Sequence, residues 1–178
     1  GSQSLPLATA HDYKRVGEGD TALYAGLWGS TVDFDEEGDG PLEVELSAGA
    51  YGLVGETGFD WDVWAAYYHY PGARGSLDYD YAEFLGRLGY AFDDALSTSV
   101  GYAFSPDYSG SSGRSHYVDG RVAYTLPFDL PAPITLDASL GRQWFESNSQ
   151  TWLEDYVDWS VGASVAVGQV AFGVRYTD

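Results

Sequence analysis

From Leu42 onward, apolar residues alternate with polar or small ones, the period-two pattern of a strand that presents two different faces. One register reads Leu42, Val44, Leu46, Ala48, Ala50, then Phe59, Trp61, Val63, Ala65, Tyr67, then Ala82, Phe84, Gly86, Leu88, Tyr90. It continues through Leu96, Thr98, Val100, Tyr102, Phe104, then Val118, Gly120, Val122, Tyr124, Leu126, then Ile134, Leu136, Ala138, Leu140. Val157, Trp159, Val161, Ala163, Val165 and finally Val170, Phe172, Val174, Tyr176 complete eight strands. Read this way, that register holds no Asp, Glu, Lys or Arg. The opposite register carries Glu43, Glu45, Asp60, Asp62, Glu83, Arg87, Asp119, Arg121, Asp137, Asp158 and Arg175. Two earlier strands, Leu5 to Tyr13 and Ala22 to Phe34, are less regular, because Leu23, Ala25 and Leu27 compete with Tyr24 and Trp28 for the apolar face.

The same alternation fits a soluble barrel or sandwich whose apolar face points into a core. Soluble sheets, however, solvate the outer face with Lys and Glu, whereas Lys14 is the sole lysine and Gly, Ser and Ala fill much of the polar register, as in Ser160, Gly162 and Ser164. Small residues suit a crowded, narrow lumen. Tyr67, Tyr90, Tyr102, Tyr124, Trp144 and Tyr176 fall near strand ends, where outer-membrane barrels carry aromatic girdles; aromatics are also simply good strand formers. The pattern therefore predicts an all-β, antiparallel, up-and-down transmembrane β-barrel occupying residues 1–178 as a single domain.

Connection lengths predict the topology. Tight ends fall near Gly17 to Asp20, Gly55 to Gly58, Phe92 to Asp94, Pro127 to Pro131 and Gly168, and extended ones near Asp35 to Pro41, His69 to Asp78, Ser105 to Ser115 and Phe145 to Glu154. If tight means periplasmic, both termini of this stretch lie outside. Even strand counts and periplasmic termini then predict about ten strands here and about twelve in the parent protein, with one more at each end; the alternative is a ten-strand barrel closed as it stands.

Charge and composition exclude other classes. Twenty-seven acidic against eight basic residues give a net charge of −19, which opposes nucleic acid, whose phosphates need Lys and Arg. No run of about 18 apolar residues marks a spanning helix, and no basic start followed by an apolar core marks a signal peptide. With no cysteine, neither a disulfide framework nor a thiolate metal or redox site is available.

Seven ordered segments carry a resemblance: Tyr24 to Phe34 (YAGLWGSTVDF), Tyr68 to Gly72 (YHYPG), Tyr79 to Glu83 (YDYAE), Ser105 to Tyr108 (SPDY), Tyr124 to Pro127 (YTLP), Asp158 to Gly162 (DWSVG) and Tyr176 to Asp178 (YTD). Together they resemble a family of bacterial conserved hypothetical proteins described as porins of the TorF type. The resemblance implies an outer-membrane barrel and a channel, and it brings no catalytic residues with it. That family begins with a further strand, of which Gly1-Ser2-Gln3-Ser4 reads as the tail.

Among candidate chemistries, Asp33, Asp35, Glu37 and Asp39 concentrate oxygen ligands on one loop, as Ca²⁺ requires, but without full EF-hand spacing. A solvated acidic loop is the main reading and a weak Ca²⁺ site the alternative; no other cofactor is expected. His11, His69 and His116 are scattered, and Ser115 and His116 are strand neighbours that point to opposite faces, so neither a metal cluster nor a hydrolase site is expected. The arginines and acids of the polar register serve either as salt-bridged lumen networks or as the lining of a selective pore. The expected function is a passive, non-enzymatic channel of the bacterial outer membrane, with lipid and small cationic or neutral solutes as partners and an acidic, narrow lumen. The alternatives are a closed structural or surface-binding barrel acting through its extracellular loops, and a soluble barrel holding a hydrophobic ligand.

Overall fold

Alternating β-branched and aromatic residues fit a pleated surface, and the chain folds accordingly into strands joined in sequence order. The computed structural model describes residues 6–14, 21–31, 42–72, 78–128, 132–146, 153–167 and 170–178. Among them the strands are β1 (Pro6–Lys14), β2 (Thr21–Thr31), β3 (Leu42–Leu53), β4 (Phe59–His69), β5 (Tyr81–Ala91), β6 (Leu96–Ser105), β7 (Ser115–Thr125), β8 (Ile134–Phe145), β9 (Tyr156–Val167) and β10 (Val170–Thr177). They form one ten-stranded antiparallel sheet in which each strand pairs with its neighbours in sequence. Among the described residues no ladder joins β10 to β1, and the backbones of strands come close only between sequence neighbours, so no second layer packs on the sheet there.

Local chemistry sets the short connections. Between β3 and β4, Gly55 (φ 54°) and Gly58 (φ 83°) take the left-handed conformation that only glycine adopts without cost. The Thr57 hydroxyl donates to the Val54 carbonyl at 2.6 Å. Between β5 and β6, Asp93 Oδ1 accepts the backbone N–H groups of Ala95 (2.8 Å) and Leu96 (2.7 Å), an Asx turn. Two longer connections, 70–80 and 106–114, are tied together by the non-glycine residues with positive φ, Asp78 (48°) and Ser111 (53°). Ser111 donates its hydroxyl to the Asp78 carboxylate, and Gly110 donates its N–H to the Asp78 carbonyl at 2.9 Å, contacts that offset the strain of both residues.

The two faces are inverted relative to a soluble protein. Phe84 (55% exposed), Leu140 (61%) and Val174 (77%) stand on the open face with the rest of the apolar register. The buried strand residues are small or polar and belong to the charged register: Ser30, Ser105, Ser115, Ala66, Ala103, Ser160 and Asp119. On that face side chains two strands apart touch: Tyr24 of β2 donates to Asp62 of β4 at 2.8 Å, and Arg175 of β10 reaches Asp137 of β8 at 2.5 Å. The sheet therefore curves around its charged face. In β2 the structure decides what the sequence left open: Leu23 and Leu27 face out and Tyr24 faces in.

One strand departs from the expected pattern. β8 runs on to Phe145, so Arg142, opposite Val118 and Val157, lies in the apolar register, which is therefore not free of charge. Its guanidinium sits 3.6 Å from Asp155 in the following connection.

Glycines on the charged face make room for these crossings. A Cβ on Gly49 would lie 2.6 Å from the Trp64 Cβ and 2.7 Å from the Tyr24 ring, whereas one on the outward Gly120 would meet nothing within 4 Å. Gly49→Ala is therefore expected to destabilise the fold by about 1–3 kcal/mol, and Gly120→Ala to be nearly neutral. Urea midpoints of the folded protein check both.

Candidate functional site

Every described acid and arginine predicted from the polar register sits on the inner, charged face. The eleven are Glu43, Glu45, Asp60, Asp62, Glu83, Arg87, Asp119, Arg121, Asp137, Asp158 and Arg175, and the strand pairing brings them into inclined rows. One row runs Asp62, Arg87, Gly101, Asp119, Gly141, Asp158 across β4 to β9. Another runs Ser97, Ala123, Asp137, Gly162, Arg175 across β6 to β10. The loop acids Asp33, Asp35, Glu37 and Asp39, proposed as a weak Ca²⁺ site, lie outside the described residues.

All three inner arginines among the described residues are paired. Arg87 meets Asp60 at 2.5 Å, Arg121 meets Asp119 at 2.6 Å, and Arg175 meets Asp137 at 2.5 Å while also donating to Ser160 Oγ at 2.6 Å. Glycine recurs beside these groups. Gly89 leaves space that Asp60 fills, Gly101 space that Asp119 fills, and Gly162 lies between Asp137 and Arg175. The pairs are partly exposed, so each contributes modestly to stability, and their main effect is to hold the guanidinium groups in place. Asp60, Arg87, Arg121, Asp137 and Arg175 together line one recess of about 270 Å³.

Toward the long connections the chemistry changes from arginine to tyrosine. Tyr81 stacks on Tyr68 (centroids 4.5 Å, 14°) and packs against Tyr108 (4.6 Å). The Tyr68 hydroxyl hydrogen-bonds Glu83, Tyr70 hydrogen-bonds Glu43, and Tyr117 donates across Gly141 to Asp158 Oδ1 at 3.1 Å. Among the described residues, Glu43, Glu45, Glu83 and Asp158 take part in none of the ion pairs.

The outer rim at this end is aromatic. His116 stacks on Trp144 (5.2 Å, 12°), and its Nδ1 lies 2.7 Å from the Tyr102 hydroxyl. His116 and Arg114 hold the Glu146 carboxyl below its usual range. At the opposite end Phe59, Tyr90 and Phe92 pack together on the same outer face. His69 and His116 each meet a carboxylate, Asp80 and Glu146, and among the described residues no cluster of potential metal ligands forms.

A model of a family described as bacterial protein of unknown function (Gcw_chp) matches residues 18–178. The chain belongs to the Gcw_chp family. No curated protein and no solved structure is similar enough to count as a match.

In this Gcw_chp protein the inner residues that the sequence did not single out are mainly tyrosines. Tyr81, Tyr117 and Tyr156 each stand two residues before an inner acid (Glu83, Asp119, Asp158), so strand parity alone would have placed them inside. Tyr108 lies in a connection, where no period exists to read. Burial raises the hydroxyl pKa of both Tyr70 and Tyr108, so both remain protonated donors at neutral pH.

Asp80 anchors the start of β5. It accepts the Tyr70 N–H at 2.9 Å, faces His69 Nδ1 at 2.7 Å and takes the Tyr67 hydroxyl at 3.2 Å. Burial pushes its carboxyl up, but these three partners outweigh it and leave it below the usual aspartate range. A carboxyl depressed by folding stabilises the fold fully above its unfolded pKa of about 3.9 and loses that effect as pH falls through the lower folded value. A carbon-13 titration of Asp80 in the folded chain is expected to give a midpoint below about 3.9. Asp80→Asn is expected to remove this part of the acid dependence of stability.

Proposed function

We propose that this chain forms the wall of a bacterial outer-membrane β-barrel that passes small cationic or neutral solutes. The observation that carries the reading is the inversion of the two faces: apolar side chains open to the surroundings, ion pairs and buried serines inside. In water an apolar surface of this extent is unfavourable, and contiguous exposed patches mark membrane or partner contacts. A lipid surround removes that penalty. β2 to β9 span ten to twelve residues, against the roughly 9–11 that a tilted strand needs to cross the hydrocarbon.

Further features support the same reading. Aromatic groups crowd both ends of the outer face, as the girdles of such barrels do. Arg142 sits near the long-connection end, where its guanidinium reaches the headgroup level. An unpaired strand edge facing lipid costs several kcal/mol per backbone group, so the membrane form closes its edges. The resemblance to TorF-type porins, on which the Gcw_chp description is silent, points the same way. The acid excess of the inner face favours cations. Against an open lumen, Tyr24–Asp62, Tyr117–Asp158 and Arg175–Asp137 all reach across a glycine and narrow it, which favours as second reading a closed barrel acting through its long connections.

Planar-bilayer recording of the full-length protein under a salt gradient separates the two. Stable steps with a cation-directed reversal potential, reduced in selectivity by Glu43→Gln with Glu45→Gln, are the expected result. Silence from a chain shown to be folded and inserted sinks the channel.

A further inference from the structure

The inner face carries two different chemistries at its two ends, and the tyrosine end has a built recess. Six of the residues lining this space of about 420 Å³ are Tyr81, Glu83, Tyr108, Tyr117, Tyr156 and Asp158. Stacking on Tyr68 and a tilted contact with Tyr108 fix the orientation of the Tyr81 ring. Asp158 Oδ1 is held by Tyr117, while Oδ2 is buried without a hydrogen-bond partner. Among the described residues neither Glu83 nor Asp158 has a cationic partner, although the three inner arginines on neighbouring strands are all engaged with aspartates.

An unpaired buried carboxylate oxygen is expensive unless a cation or donor arrives to meet it. The surrounding groups indicate which cation. Phenol rings attract positive charge through their negative faces, and the attraction is largest for cations that shed water easily. Ca²⁺ demands six to eight oxygen ligands, which two carboxylates already engaged by phenols do not supply. A substituted ammonium needs only compensating charge and apolar or π surface around its methyl groups, and the recess offers both.

We propose that this recess is a binding subsite for an organic ammonium cation. Its role as a first station on a solute path rests on the channel reading, but the binding itself does not. Conduction requires a site weak enough to release its occupant, so the affinity is modest.

Calorimetric titration of the folded full-length protein in detergent micelles tests this, with choline chloride as probe, sodium chloride as the inorganic control and 3,3-dimethyl-1-butanol as the neutral isostere of choline. Choline is expected to bind while the other two do not. Glu83→Gln and Tyr108→Leu should each weaken it about tenfold. Tyr108 lies outside the strands and Glu83→Gln preserves shape, so both variants are expected to fold, and their far-ultraviolet dichroism verifies it. Equal binding of choline and its neutral isostere, or unchanged choline affinity in both folded variants, overturns the proposal. Choline binding by a chain that conducts nothing removes the channel and keeps the subsite; conduction without choline binding does the reverse.

Discussion

The strand-to-strand ladder is the interaction on which everything else here depends. Among the described residues no second layer packs on the sheet and no apolar core gathers the strands, and each is held by the backbone hydrogen bonds and cross-strand contacts of its neighbours. An antiparallel ladder in strict sequence order fixes parity across the whole sheet, because a slip of one residue would send every side chain to the other face. The segregation of charge to one side and apolar groups to the other is the consequence of that parity, repeated strand after strand.

Glycine turns parity into geometry. Where an inner position lacks a Cβ, a long polar side chain on one strand crosses its neighbour and bonds two strands away. Tyr24 over Gly49, Tyr117 over Gly141 and Arg175 over Gly162 follow this one rule. These crossings bend the sheet around its charged face and satisfy acids that would otherwise be stranded among serines and alanines. They also divide the inner face, with guanidinium–carboxylate pairs in one region and phenol-bound carboxylates in the other. On the proposed reading, that division places a region of uncompensated negative charge ahead of a region where charge is balanced.

Much of this was legible before any coordinates. Period two, strand number, the positions of short and long connections and the common face of all eleven charged residues follow from alternation, because strand geometry leaves a side chain only two directions. Tyr81, Tyr117 and Tyr156 are equally legible by parity, since each shares the register of an inner acid two residues on. Arg142 is the next outward position after Leu140, where the unbroken apolar run of its register ends, so a reading by apolar residues stops short of it. β2 was ambiguous because Leu23 and Tyr24 are both plausible on an apolar face, and only the crossing from Tyr24 to Asp62 decides between them.

The sequence by itself determined which residues share a face, since that depends on nothing beyond the two-residue repeat of an extended chain. It did not determine which face lies inside, which arginine meets which aspartate, or that Tyr108 closes over Tyr81. Apart from Arg121 and Asp119, which share β7, those depend on the approach of groups 27 to 38 residues apart in the chain and on the empty volume above particular glycines. Such distances are set by the register and curvature of the whole sheet, which no local stretch of sequence encodes.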